Sequence, residues 1–152
     1  MIASLLIASM PPPAEGAYPY AILDTAKVVI EAVATGDAVT ASALMEEDAQ
    51  LIVVDEREAG QPRVRIRTMT ALLDHLEPAP DHHEPLGMPK VLQDGGLAQV
   101  WVPYAFYVGG ERRHCGTNNL TLVQRGMTWK VATISMTMVP PDRCADIARE
   151  ER

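Results

Sequence analysis

The sequence predicts an α+β domain, with helices first and a long, bent antiparallel sheet after them, and three observations carry that reading. Between Tyr18 and Ala34, apolar residues recur at helical spacing. Between Leu97 and Thr137, glycine turns at Gly109-Gly110 and Arg125-Gly126 divide three runs of β-formers. At 152 residues the chain is long enough for one domain with a sizeable core and too short to argue for two.

Composition narrows the function classes. Apolar residues make up 47% and charged residues 22%, which is ordinary for a folded globular chain. A formal net charge of −7 argues against a nucleic-acid partner. Arg112-Arg113 and the alternating Arg63, Arg65 and Arg67 read as solvated strand positions. Residues 1–16 stand outside the predicted fold. Met1 to Met10 is apolar but too short to span a bilayer, and the break at Pro11-Pro12-Pro13 gives it the look of a secretory h-region without a basic n-region. The expectation is a periplasmic or secreted protein with no membrane span; the alternative is a cytoplasmic protein with an apolar extension. The domain should then cover 17–140, with a polar tail over 141–152. Two cysteines in an exported chain predict one disulfide, Cys115 to Cys144, tying that tail to the sheet.

The first helix should bury Ile22, Ala26, Val29, Ile30 and Val33 and stop at Gly36. Asp37 is placed to cap a second helix running to about Met45. Gln50–Asp55 reads as a buried strand, and Arg63–Arg67 as another with Val64 and Ile66 facing in. Thr68 would cap a third helix, Met69 to Leu76, with Leu72, Leu73 and Leu76 inward. From Glu77 to His83 the chain is a loop, and Pro85 and Pro89 leave Glu84–Asp94 extended at a sheet edge or irregular.

In the last three strands, period-2 alternation assigns faces once the turns set the register. Two-residue loops would set Val108 opposite Glu111 and Gln124 opposite Met127. One face then carries Trp101, Tyr107, His114, Gly116, Asn118, Leu120, Leu122, Trp129, Val131, Thr133 and Ser135. A bulge at the Gly109-Gly110 turn would move His114 to the other side relative to Trp101. His114 and Asn118 lie about 13 Å apart on one strand face. In a part-apolar cavity they suit ligand recognition, general acid–base catalysis with Asp48 assisting His114, or simple satisfaction of buried hydrogen bonds. Asp81, His82, His83 and Glu84 are metal-ligand types, but adjacent strand histidines point apart, and no metal site is expected. No phosphate-binding glycine loop, nucleophile elbow or zinc-protease motif occurs.

The run Val100-Trp101, Pro103-Tyr104, Phe106-Tyr107, His114-Cys115-Gly116, Asn118, Leu120, Leu122-Val123 and Trp129-Lys130-Val131 resembles the nuclear transport factor 2-like superfamily, in its SnoaL-like branch. That resemblance implies a cone of about three helices closed by a strongly bent sheet around a pocket, and homodimers through the convex sheet face. Its members include isomerases, dehydratases, cyclases and non-enzymatic modules, so fold alone does not choose among them. The predicted inner face of the three strands offers no Asp or Glu for isomerase chemistry. The leading expectation is therefore a cone that binds a small apolar or amphipathic molecule, without a cofactor, through Trp101, Tyr107, His114, Asn118, Thr133 and Ser135. A cofactor-free isomerase or lyase using His114 and Asp48 is the second expectation, and a dimeric scaffold the third.

Overall fold

A computed structural model describes residues 18–144, so the expectations for residues 1–16 and for the tail beyond Cys144 lie outside the described residues. Helix α1 (Tyr18–Thr35) buries Ile22, Ala26, Val29 and Ile30 against the sheet, as their spacing requires. Gly36 ends it at φ +82°, and a Cβ there would collide with the Glu77 carbonyl. Asp37 caps α2 (Ala38–Ala43), its carboxylate accepting the Thr40 N–H at 3.0 Å.

Helix α2 is shorter than its sequence suggests. The chain is already extended at Met45, and β1 (Met45–Asp55) starts well before Gln50. An antiparallel partner, β2 (Arg63–Thr68), follows, and the Thr68 hydroxyl caps α3 (Met69–Leu73), which also stops short of Leu76. A strap then runs antiparallel along the outer edge of β5. It contains β3 (His82–His83), an isolated bridge from Leu86 to Tyr104, and β4 (Lys90–Asp94). The long strands β5 (Leu97–Val108), β6 (Glu111–Arg125) and β7 (Thr128–Met138) complete a seven-stranded sheet in the order β2-β1-β7-β6-β5-β3, with β4 also on β5. The sheet is curved and unclosed, and the β1–β7 pair is parallel where the sequence reading expected antiparallel pairing throughout.

Two register shifts decide which side chains face the helices. Val108 does pair with Glu111, but Phe106 pairs with His114, leaving Arg113 as the extra residue of a bulge. Thr121 pairs with Thr133 and Leu122 with Val131, leaving Ala132 extra on β7. The β6–β7 loop itself is Gly126-Met127, one residue later than expected, because Arg125 pairs with Thr128. The inner face therefore holds Val100, Val102 and Tyr104 of β5, His114, Asn118 and Leu120 of β6, and Trp129, Val131, Ile134 and Met136 of β7. Each bulge offsets the pairing of the two strands beyond it by one residue, so Trp101, Tyr107, Thr133 and Ser135 go to the outer face. Val64 and Ile66 also point outward, 63% and 65% exposed, since they pair with Val54 and Ile52. Arg63, Arg65 and Arg67 take the inward positions instead, opposite Asp55, Val53 and Leu51.

Near the mouth of the cone, Gly116 is boxed in, because a Cβ there would run into the Thr137 carbonyl. Its cross-strand partner Tyr104 is fully buried and donates its hydroxyl to that same carbonyl at 2.8 Å. Val139 pairs with Cys115, and a turn over 141–144 carries Cys144 back to Cys115 in the expected disulfide, whose two residues are both buried. Cys144→Ser should cost about 3–4 kcal/mol of unfolding free energy by restoring freedom to a chain segment of 29 residues. Gly116→Ala should cost about 2 kcal/mol or more, since backbone must move to admit it. Urea denaturation of each variant measures both.

Candidate functional site

The inward polar residues at the mouth form two hydrogen-bonded groups. Tyr104 and His114 stand on neighbouring strands, with Tyr104 Oη 3.1 Å from His114 Nδ1. The phenol has a single proton and gives it to Thr137, so His114 must carry its proton on Nδ1 and donate it to Tyr104. That assignment leaves the lone pair on Nε2. Phe106 stacks on the imidazole at 4.9 Å, and the His82 ring meets Phe106 edge-on at 5.2 Å. Burial, with the Arg57 cation adding to it, lowers the His114 pKa to about 4, so the ring is neutral at physiological pH.

The strap supplies the residue that sequence reasoning missed. Residues 79–87 are fastened by Ala79 N–H to Thr35 O at 2.8 Å, by a 3.3 Å contact between His82 Nδ1 and Ala34 O, and by Gly87 N–H to Pro103 O at 2.8 Å. So held, Glu84 turns its carboxyl inward, where Oε1 accepts from Asn118 Nδ2 at 2.8 Å. Burial raises the Glu84 pKa to about 7, opposed in part by the Asn118 hydrogen bond. Tyr104 is also raised, first by burial and then by the Glu84 charge, and stays a phenol. Asp55 behaves in the opposite way. Bidentate hydrogen bonds from Arg57 and the Arg65 cation 3.2 Å away hold it far below the usual carboxylate range, permanently ionised.

Among the described residues, the one sealed side-chain polar atom without a partner is Asn119 Oδ1, on the outer face. His114 Nε2, Asn118 Oδ1 and the second Glu84 oxygen, which have no protein partner there, therefore open onto free space. At the same end a narrow cleft of about 100 Å³ runs between α1, the strap and β5, lined by Leu23, Ala26, Ile30, Leu86 and Val102 with Lys27 at its side. Val102 is the cross-strand partner of Asn118, and Leu86 lies two residues beyond Glu84.

Of the residues expected at a site, His114 and Asn118 are here and buried, but the others are elsewhere. Trp101 is 53% exposed on the outer face, Tyr107 packs towards His83, and Thr133 and Ser135 lie in the outer rows of β7. Asp48 is exposed at the opposite end of the sheet, where its charge helps keep Arg125 protonated. That end also holds a larger cleft of about 500 Å³, lined by Met45, Met69 and Leu73 and by the Glu46–Arg125 ion pair, but Asp48 is not part of its lining. No signal in the inner-strand alternation could have found Glu84. The available hint was a carboxylate between His83 and Pro85, in a segment too proline-rich to be a central strand.

Glu84 holds its proton more tightly in the folded state than in the unfolded one. Its contribution to stability is therefore complete below about pH 4.5 and is lost as pH rises through about 7. His114 has the opposite sign: its contribution is complete above pH 6.5 and is lost as pH falls towards 4. Glu84→Gln should thus gain roughly 2–3 kcal/mol relative to the wild type on going from pH 5 to pH 8. Urea midpoints measured across that range test it, and parallel curves for the two proteins would contradict the placement of Glu84.

No family model matches the chain, and no curated protein matches it. Solved structures do. A nuclear transport factor 2-like protein from Shewanella baltica superposes with a TM-score of 0.62 at 15% identity, covering 83% of this chain and 99% of that one. A putative ketosteroid isomerase from Parabacteroides distasonis gives 0.58 at 15%, covering 86% and 95%. The β subunit of a putative aromatic-ring-hydroxylating dioxygenase from Novosphingobium aromaticivorans gives 0.58 at 14%, covering 79% and 88%. Architecture is shared over most of each chain while sequence is not, and on that footing this chain has the nuclear transport factor 2-like fold.

Proposed function

We propose that the chain binds a small apolar or amphipathic molecule in its cone, with Glu84, Asn118 and His114 as the polar contacts. The observation carrying this reading is the buried Glu84–Asn118 pair, whose neighbours Val102, opposite Asn118, and Leu86, two residues beyond Glu84, line the cleft between α1 and β5. A mostly apolar hollow with a few convergent polar atoms is the usual make-up of a small-molecule site. The oxidised cysteine pair suits an exported protein, since such bridges persist in oxidising compartments.

Two further readings each have an observation in their favour. Glu84, with a pKa of about 7, is poised to give and take a proton near neutrality, so an isomerase or lyase would use it in place of Asp48, with His114 Nε2 as a second acceptor. That reading also has the putative ketosteroid isomerase of the same fold behind it. A dimer would use the outer face, where the row Ile66, Ile52, Ser135, Asn119 and Trp101 carries no charge and holds the unpartnered Asn119 Oδ1.

Native mass spectrometry of the purified chain is expected to reveal a discrete bound mass. Asn118→Ala should retain it at least tenfold less, about 1.4 kcal/mol of affinity. A bare polypeptide in both proteins would remove the binding reading. Sedimentation equilibrium should find a dimer that Trp101→Glu converts to monomer; a wild-type monomer at micromolar concentration would end the dimer reading.

A further inference from the structure

The unfilled hydrogen-bonding capacity of the cone is one-sided. Tyr104 donates its only proton to Thr137, His114 donates its only N–H to Tyr104, and one N–H of Asn118 goes to Glu84. What faces free space is the Nε2 lone pair of His114, the Oδ1 of Asn118 and the second oxygen of Glu84. Against these three acceptors stands one remaining Asn118 N–H. A site that stabilises a developing oxyanion needs the reverse, donors converging on one point.

Charge points the same way. Asp55 has Arg57 and Arg65 against it, and Glu46 has Arg125. Glu84 has no cation in contact among the described residues. The titratable group facing it is the neutral Tyr104 of β5, which also feels the Asp55–Arg57 pair; His114 of β6 is hydrogen-bonded to the far side of that phenol. Asp81, His82 and His83 precede it on the strap, and His82 Nε2 lies 4.0 Å from Asp81. A carboxylate taken from water with a single amide donor is poorly compensated, and a bound cation would compensate it.

We propose that the cone selects a ligand with a protonated amine head on a short apolar body, the ammonium seated between the open oxygens of Glu84 and Asn118 and the body in the cleft of Leu23, Ala26, Leu86 and Val102. This rests on the reading of the cone as a ligand site and names its chemical class. An ammonium has three donors and no acceptor, the complement of what the protein leaves open. The exposed Lys27 beside the cleft is the one feature that would favour an acid instead, and the test includes that alternative.

The measurement is a chemical-shift titration of the isotope-labelled full-length chain at pH 8 with n-butylammonium, n-butanol and butyrate. Butylammonium should bind at least tenfold more tightly than butanol, with butyrate weakest, and shift the resonances of residues 84, 102 and 118. Lowering the pH to 5 should erase that advantage, as should Glu84→Gln. If butanol or butyrate binds as well as or better than butylammonium, the cone is a ligand site but the ammonium preference is wrong. If none of the three shifts these resonances, the ligand-site reading itself fails and the preference with it. The comparison of the three compounds on the wild-type chain decides the matter even if the Glu84 variant does not fold.

Discussion

The register of β6 against its two neighbours is the constraint on which the rest of the structure depends. Arg113 is the extra residue on one side of that strand's pairing and Ala132 the extra residue on the other. Because side chains alternate, each single-residue offset inverts everything beyond it. Without the first offset, Trp101 would share a face with Asn118. With it, Val102 and Tyr104 do, and the cone gains a small apolar wall and a phenol in place of an indole. The second offset substitutes Ile134 and Met136 for Thr133 and Ser135, so the centre of the inner sheet is dry. The polar groups are thereby concentrated at one end.

That end is held from several directions at once. Gly116 lets β6 approach the Thr137 carbonyl, Tyr104 crosses over it to reach the same carbonyl, and the disulfide fixes the turn that follows β7. Against this rigid floor the strap presents Glu84. Two titrating groups with opposed pH behaviour, Glu84 and His114, are thus held at the same end of the sheet, each shifted chiefly by lost hydration. Between about pH 4.5 and 6.5 their stability slopes run in opposite directions and partly cancel.

How much of this is legible in the sequence follows from the range of each interaction. Caps and turns are local, so Asp37, Thr68, Gly36 and the Gly109-Gly110 hairpin stand where the sequence places them. His114, Asn118, Leu120 and Leu122 share a face because they share a strand, and the disulfide follows from there being two cysteines, one on β6 and one just past the end of β7. Which residues of the neighbouring strands join them depends on bulges, and no residue type in Arg112-Arg113-His114 or Val131-Ala132-Thr133 signals one. Val64 and Ile66 deceive for a related reason: alternation fixes two faces but not which one the helices cover. Glu84 is illegible because its position depends on where a strap lands, three strands away in sequence order from Asn118.

The arginines of β2 have an effect beyond the ion pair with Asp55. Among the described residues, β2 is the outermost strand on its side, with a row of backbone groups left unpaired by the sheet. Arg63, Arg65 and Arg67 alternate along it, all exposed, and Pro85 and Pro89 interrupt the strap that borders the opposite side. Charge at one margin and missing N–H groups at the other both oppose the addition of a further strand. Both margins of the curved sheet thus disfavour edge-to-edge pairing with another chain.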